Sequence, residues 1–203
     1  MADRVVIVDY GMGNLFSVRH AFAALGVRAR IADTPQAIAA CDRLVLPGVG
    51  AFGDAMRELK KRGLIEPIRA FVRTGKAFLG ICLGMQLIMD KSDEAVGVKG
   101  LGLVPGTVRR FGSGLKCPHM GWNEIEPVRG EPLFKGIRRP IYTYFCHSYY
   151  VRPQKAGVAI GWTRYGGRFA SVVRQDNVVG VQFHPEKSQE TGIRMLKNFL
   201  KLC

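Results

Sequence analysis

The 203 residues predict an α/β protein: a doubly wound, largely parallel central sheet with helices on both faces, extended by later antiparallel strands. Three features predict it. Apolar runs such as RVVIV at 4–8 and AFLGI at 77–81 are continuous rather than alternating, as in parallel strands buried on both faces. Segments at helical spacing separate those runs through the first half, the alternation of βαβ units. The second half reads instead as strands punctuated by turn dipeptides.

Each element has its own signal. Residues 4–8 form the first strand. Leu15, Val18, Phe22 and Leu25 follow at helical spacing, and Gly26 stops that helix. Residues 27–31 read as a second strand and 44–46 as a third, ended by Pro47-Gly48. Residues 55–62 and 65–73 are helical, broken at Gly63. The strand at 77–81 runs straight into a helix at 83–89. Beyond residue 101 the strands are 107–111, 142–151, 158–162, 168–174 and 178–183. Gly112-Ser113, Gly166-Gly167 and Asp176-Asn177 have hairpin chemistry. Ser188 is placed to cap a last helix with Ile193, Leu196, Phe199 and Leu200 on one face. No repeat or linker divides the chain, so residues 1–203 are expected to form one domain.

Composition narrows the function. Apolar residues make up 47% and charged residues 23%, which excludes a disordered chain. No apolar run approaches the roughly 18 residues of a membrane helix, and the N-terminus lacks the basic and apolar regions of a secretory signal. Cys41, Cys82, Cys117, Cys146 and Cys203 are odd in number and sparse, which predicts a cytoplasmic chain without a disulfide framework. Their spacing to histidine fits no zinc site, so no metal is expected. The net charge of +14 raises nucleic-acid binding. Yet Lys and Arg are dispersed, with 60–62 and 138–139 the densest groups, and no nucleic-acid motif is present. The charge is expected on a solvated surface, facing an acidic partner or a phosphorylated ligand.

The chemistry centres on GICLGMQ at 80–86. A cysteine between a strand and a helix must sit on a tight turn. Such a turn lifts its side chain off the C-terminal edge of a parallel sheet, where α/β ligands bind, and beside a helix N-terminus that favours a thiolate. Gly80 and Gly84 let strand and helix pack around the bend, the logic of a nucleophile elbow. A thiol nucleophile needs a base. Of His20, His119, His147 and His184, only His184 follows a strand and precedes a nearby carboxylate, Glu186, able to hold the imidazole in one tautomer. Acyl chemistry also needs oxyanion donors, and the Gly-rich LPGVGAF at 46–52 offers free backbone N–H groups at another strand end. It lacks the lysine of a phosphate-binding P-loop.

GICLGMQL together with GVQFHPEKS resembles the class I, triad-type glutamine amidotransferases, whose fold is flavodoxin-like. DYGMGNL at 9–15, LPGVGAFGDAM at 46–56, KGLGLVPG at 99–106, HMGWN at 119–123 and HSYY at 147–150 narrow the resemblance to one branch, which serves histidine biosynthesis. The resemblance implies Cys82 as the nucleophile toward the glutamine amide, His184 as base and acid, and Glu186 as its orienting partner. It implies oxyanion donors from Gly48, Gly50 and the Leu83 N–H, and a glutamine site formed by Gln86, Glu94, Ser148 and Tyr149. No cofactor is implied. Ammonia would pass to a (β/α)8-barrel cyclase subunit in a heterodimer, with Asn14, Trp122 and Lys187 near the interface. Cys146 departs from the aliphatic residue expected before HSYY.

Overall fold

The computed structural model describes residues 4–202; Cys203 lies outside them. Strand β1 (Val5–Val8) is wholly buried, as its unbroken apolar run requires. Five strands form the parallel half in the order β2 (Arg30–Ala32), β1, β3 (Arg43–Gly48), β4 (Phe78–Cys82) and β12 (Val178–Val181). Among parallel strands this is the flavodoxin-like order. The antiparallel strands β11 (Arg168–Gln175), β10 (Ala159–Arg164), β7 (His119–Pro127) and β8 (Ile141–His147) carry the sheet on. A side branch pairs β5 (Lys91–Ser92) with β6 (Gly106–Arg110), β6 with β9 (Tyr149–Pro153), and β9 with β11. Two buried apolar clusters, one including Leu46, Phe52 and Met85 and the other Ile7, Phe22 and Phe183, make up the core. Burial of this kind stabilises by about 25 cal/mol per Å².

Helices α1 (Leu15–Ala23), α3 (Phe52–Lys61), α4 (Ile65–Arg73), α5 (Leu83–Leu87) and α6 (Gln189–Phe199) lie where helical spacing places them. Helix α3 starts three residues before the expected 55, because the Glu94 carboxylate accepts a hydrogen bond from the Phe52 N–H at 2.7 Å. That cap comes from a distant segment, so no local signal marks it. Helix α5 is shorter than expected, ending at Leu87.

Several other expectations need correction. Strand β2 is displaced toward Ala32. Helix α2 (Pro35–Ala40) was not expected; Thr34 caps it by accepting from the Ala37 N–H at 3.3 Å, and Pro35 opens it. Strand β3 does not end at Pro47 but pairs Pro47 with Ile81 and Gly48 with Cys82, past the point where its pairing with β1 stops at Val45. The run 142–151 is two strands parted at Ser148. Gly112-Ser113 joins no paired strands, whereas Gly166-Gly167 and Asp176-Asn177 do join β10 to β11 and β11 to β12. Strand β7 was not expected because its inward residues are His119, Gly121 and Asn123 while Met120 and Trp122 face outward, the reverse of the usual pattern. Ser188 precedes α6 without capping it; its hydroxyl serves the His184 turn instead.

Candidate active site

Cys82 closes β4 and α5 begins at the next residue. Its φ of 54° and ψ of −109° put a non-glycine residue in a strained conformation, which the surrounding backbone holds in place. The flanking glycines are sterically required. A Cβ on Gly84 would stand 1.8 Å from the Leu46 carbonyl oxygen, and one on Gly80 would stand 2.7 Å from the Gly84 carbonyl oxygen. The thiol lies against the Cys146 carbonyl oxygen at 3.8 Å and receives the Gln182 side-chain N–H at the same distance.

His184 follows β12, the strand beside β4 in the sheet, so topology brings the imidazole and the thiol to the same end of the sheet. The two side chains line the same cavity. On the far side of the ring, Nδ1–H donates to Glu186 Oε1 at 2.8 Å. Both side chains are buried, 6% exposed for His184 and 2% for Glu186, so little water screens the pair. Burial opposes a charge on the ring, but the hydrogen bonds and negative charges of Cys82 and Glu186 outweigh it and raise the His184 pKa to about 10. The turn itself is bolted to β8. The His184 N–H donates to the Tyr144 carbonyl at 2.9 Å, the Ser188 hydroxyl donates to the His184 carbonyl at 2.6 Å, and the Tyr144 N–H donates to that hydroxyl at 3.0 Å.

Cys82 and His184 open into a cavity of about 330 Å³. Of the residues expected to bind substrate, Gln86, Glu94, Ser148 and Tyr149 all line it. So do Gly50 and Leu83 from the expected oxyanion set, and Lys187 from the expected interface set. Gly48 does not line the cavity; it sits behind the wall, where an added Cβ would meet the Tyr10 hydroxyl at 2.3 Å. Gly50 has a φ of +96°, a conformation suited to glycine. Trp122 is half exposed on the outer face of β7, and Asn14 precedes α1 without a side-chain cap. Gln86 spends both amide hydrogens inside the protein, donating to the Tyr149 carbonyl at 3.0 Å and to Gln182 Oε1 at 3.3 Å.

Sequence reasoning missed Gln182 and Ser188 as parts of the site. Gln182 is buried next to Cys82, and a polar residue inside the run VVGVQF was the available signal. Among the described residues, Cys41, Cys82, Cys117 and Cys146 are free thiols, and no cluster of three or more His, Cys, Asp or Glu side chains is placed to hold a metal ion.

A parallel sheet of flavodoxin order, a strained cysteine elbow and a His-Glu pair on the neighbouring strand end define a class of enzyme. The family model for class-I glutamine amidotransferases matches residues 6–203, and the chain belongs to that family. Within it, the chain is 50% identical over 202 residues to a protein of Syntrophotalea carbinolica named imidazole glycerol phosphate synthase subunit HisH, covering 96% of this chain and 98% of that one. A protein of the same name from Symbiobacterium thermophilum is 50% identical over 196 residues, covering 97% and 92%. Solved structures agree on the fold. A glutamine amidotransferase crystal structure superposes with a TM-score of 0.77 at 22% identity, covering 97% of each chain. A chain of PurLQS from Thermotoga maritima gives 0.78 at 19%, covering 99% of each.

Proposed function

We propose that this chain is the glutaminase subunit of an imidazole glycerol phosphate synthase, releasing ammonia from glutamine for a separate (β/α)8-barrel cyclase subunit in the cytoplasm. The observation that carries the chemistry is the strained Cys82 elbow sharing one cavity with a His184 that Glu186 fixes at 2.8 Å. The near-full-length similarity to HisH subunits supports the branch and the partner.

In this reading the Cys82 thiolate attacks the side-chain amide carbon of glutamine. The developing oxyanion takes N–H donors from Leu83, which opens α5, and from the loop at Gly50, which lines the cavity where Gly48 does not. His184, charged at neutral pH, protonates the departing nitrogen as the C–N bond breaks, leaving a γ-glutamyl thioester and ammonia. The now neutral ring takes a proton from water, and the hydroxide cleaves the C–S bond to give glutamate and the free thiol. Glu186 holds the tautomer throughout. Gln86, Glu94, Ser148 and Tyr149 would form the walls around the substrate's amino-acid end. The outer face of β7 and β8, where Met120, Trp122 and Tyr142 are 61%, 49% and 47% exposed, would meet the cyclase, together with Asn14 and Lys187. Exposed large apolar groups on one face fit an interface core. Ammonia would react in the cyclase with a phosphorylated ribulosyl aminoimidazole carboxamide nucleotide, giving imidazole glycerol phosphate and an aminoimidazole carboxamide ribotide.

The test is glutamate release from glutamine, by the chain alone and with the cyclase subunit and its nucleotide. Stimulation by the pair is expected, and Cys82→Ala should abolish release while the fold, followed by circular dichroism, is kept. Activity retained in pure Cys82→Ala, or no release by the wild-type pair, overturns the reading.

A further inference from the structure

Two buried histidines that take no part in the Cys82 chemistry face each other across β7 and β8, where His119 pairs in register with His147. Every hydrogen bond in their chain has a fixed direction. The Tyr149 carbonyl can only accept, so His147 Nδ1, 2.7 Å away, carries a proton and donates it. A neutral His147 then has Nε2 as an acceptor, and His119 Nδ1 at 3.0 Å must be the donor. His119 Nε2 is left as an acceptor for the Asn123 amide at 3.1 Å. Asn123 itself cannot be turned around: its Nδ2 also donates to the Arg164 carbonyl at 3.0 Å, and its Oδ1 accepts from the Glu124 N–H at 2.8 Å. The environment suits neutral rings. His119 is stacked between Phe145 and Tyr165, at 4.9 and 4.1 Å between centroids, and Phe111 packs on His147. Burial lowers the pKa of His119 to about 4 and that of His147 to about 3.

The chain ends at a functional place. Tyr149 and Ser148 line the cavity, and the Tyr149 carbonyl also receives Gln86, which passes on to Gln182 and so to the Cys82 sulfur. We propose that His119 and His147 are positioning residues for the glutamine pocket, holding the Tyr149 carbonyl, and with it the 148–149 wall, through a one-way hydrogen-bond chain that starts at Asn123. This rests on the cavity being the glutamine site. His147 borders the cavity, but the hydrogen bonds of the Cys82 sulfur go to Cys146 and Gln182 and not to this pair. Losing it loosens ground-state and transition-state binding alike, which raises KM and leaves kcat.

Two measurements on the full chain test it. In long-range ¹⁵N–¹H spectra of the wild-type protein near pH 7.5, both rings should show protonated Nδ1 and bare Nε2. An Nε2–H or doubly protonated ring at either position overturns the chain. His119→Phe keeps the aromatic stack and removes both nitrogens. In the complex with the cyclase it should raise the glutamine KM about tenfold, the scale of one lost buried hydrogen bond, with kcat within about twofold. His119→Asn, whose amide nitrogen reaches the Nδ1 position, should restore KM, and His119→Gln should not. An unchanged KM in His119→Phe, or a fall in kcat alone, overturns the role. If His119→Phe does not fold, the Asn–Gln contrast and the wild-type spectrum decide. Wild-type protein that releases no glutamate refutes the glutamine site itself, while the spectrum still decides the direction of the chain.

Discussion

Glu186 stays outside the cavity that His184 lines. Its Oε1 holds His184 at 2.8 Å, while its Oε2 is buried without a hydrogen-bond partner. A charge enclosed this way acts mainly on the ring it touches, because little solvent screens it. Glu186→Gln keeps the shape and removes the charge. The expected result is a fall in kcat on the order of 10²–10⁴-fold, as for a base left in the wrong tautomer or poorly oriented. The His184 pKa should drop well below about 10, which NMR titration of the ring would read. An unchanged kcat would remove Glu186 from the mechanism.

At the level of the element, the elbow is a packing solution as much as a chemical one. Strand β4 and helix α5 share one bend, and β3 presses its Leu46 carbonyl onto Gly84. Gly84→Ala forces backbone apart, so it should destabilise the fold by roughly 3 kcal/mol in urea unfolding and cost activity through a displaced Cys82. Stability within 0.5 kcal/mol of wild type would show that the bend yields more easily than its contacts suggest. The elbow was legible in the sequence because G-x-C-x-G, only moderately specific alone, lies between an apolar run and a helix and is matched by a His-Pro-Glu turn at another strand end. So was the His184–Glu186 turn, since the next-but-one carboxylate is a local signal. What the sequence hid were non-local facts. Glu94 caps α3 across 42 positions, Ser188 turns from its own helix to His184, and Gln182 points at sulfur from within a strand. Strand β7 was hidden for another reason, since its polar residues face inward and its large apolar ones outward.

For the whole molecule, three histidines set opposing pH limits. His119 and His147 have pKa values lowered to about 4 and about 3, below the ordinary value of 6.5. As pH falls below 6.5 the unfolded chain takes up protons that the folded one refuses, so stability drops from 6.5 down through those values, by up to about 1.4 kcal/mol per pH unit for each ring. His184 behaves oppositely. Its pKa is raised to about 10, so its contribution is complete below 6.5 and is lost as pH rises through 10. The part of the stability profile owed to these rings should therefore peak near 6.5. Urea midpoints measured from pH 4 to 10 check this. His119→Phe should flatten the acid limb and Glu186→Gln the alkaline one, and limbs unmoved by these changes would assign the profile to other groups.

Strand β8 alternates without a break: Ile141, Thr143, Phe145 and His147 point inward, and Tyr142, Tyr144 and Cys146 point toward the outer face and the cavity. Its backbone at Tyr144 also anchors the turn that bears His184. Such a strand has no idle side on which substitutions can accumulate neutrally. Over evolutionary time one face answers to the interior of this chain and, on the proposed function, the other to a second gene product, so that β8 can change only as fast as both allow.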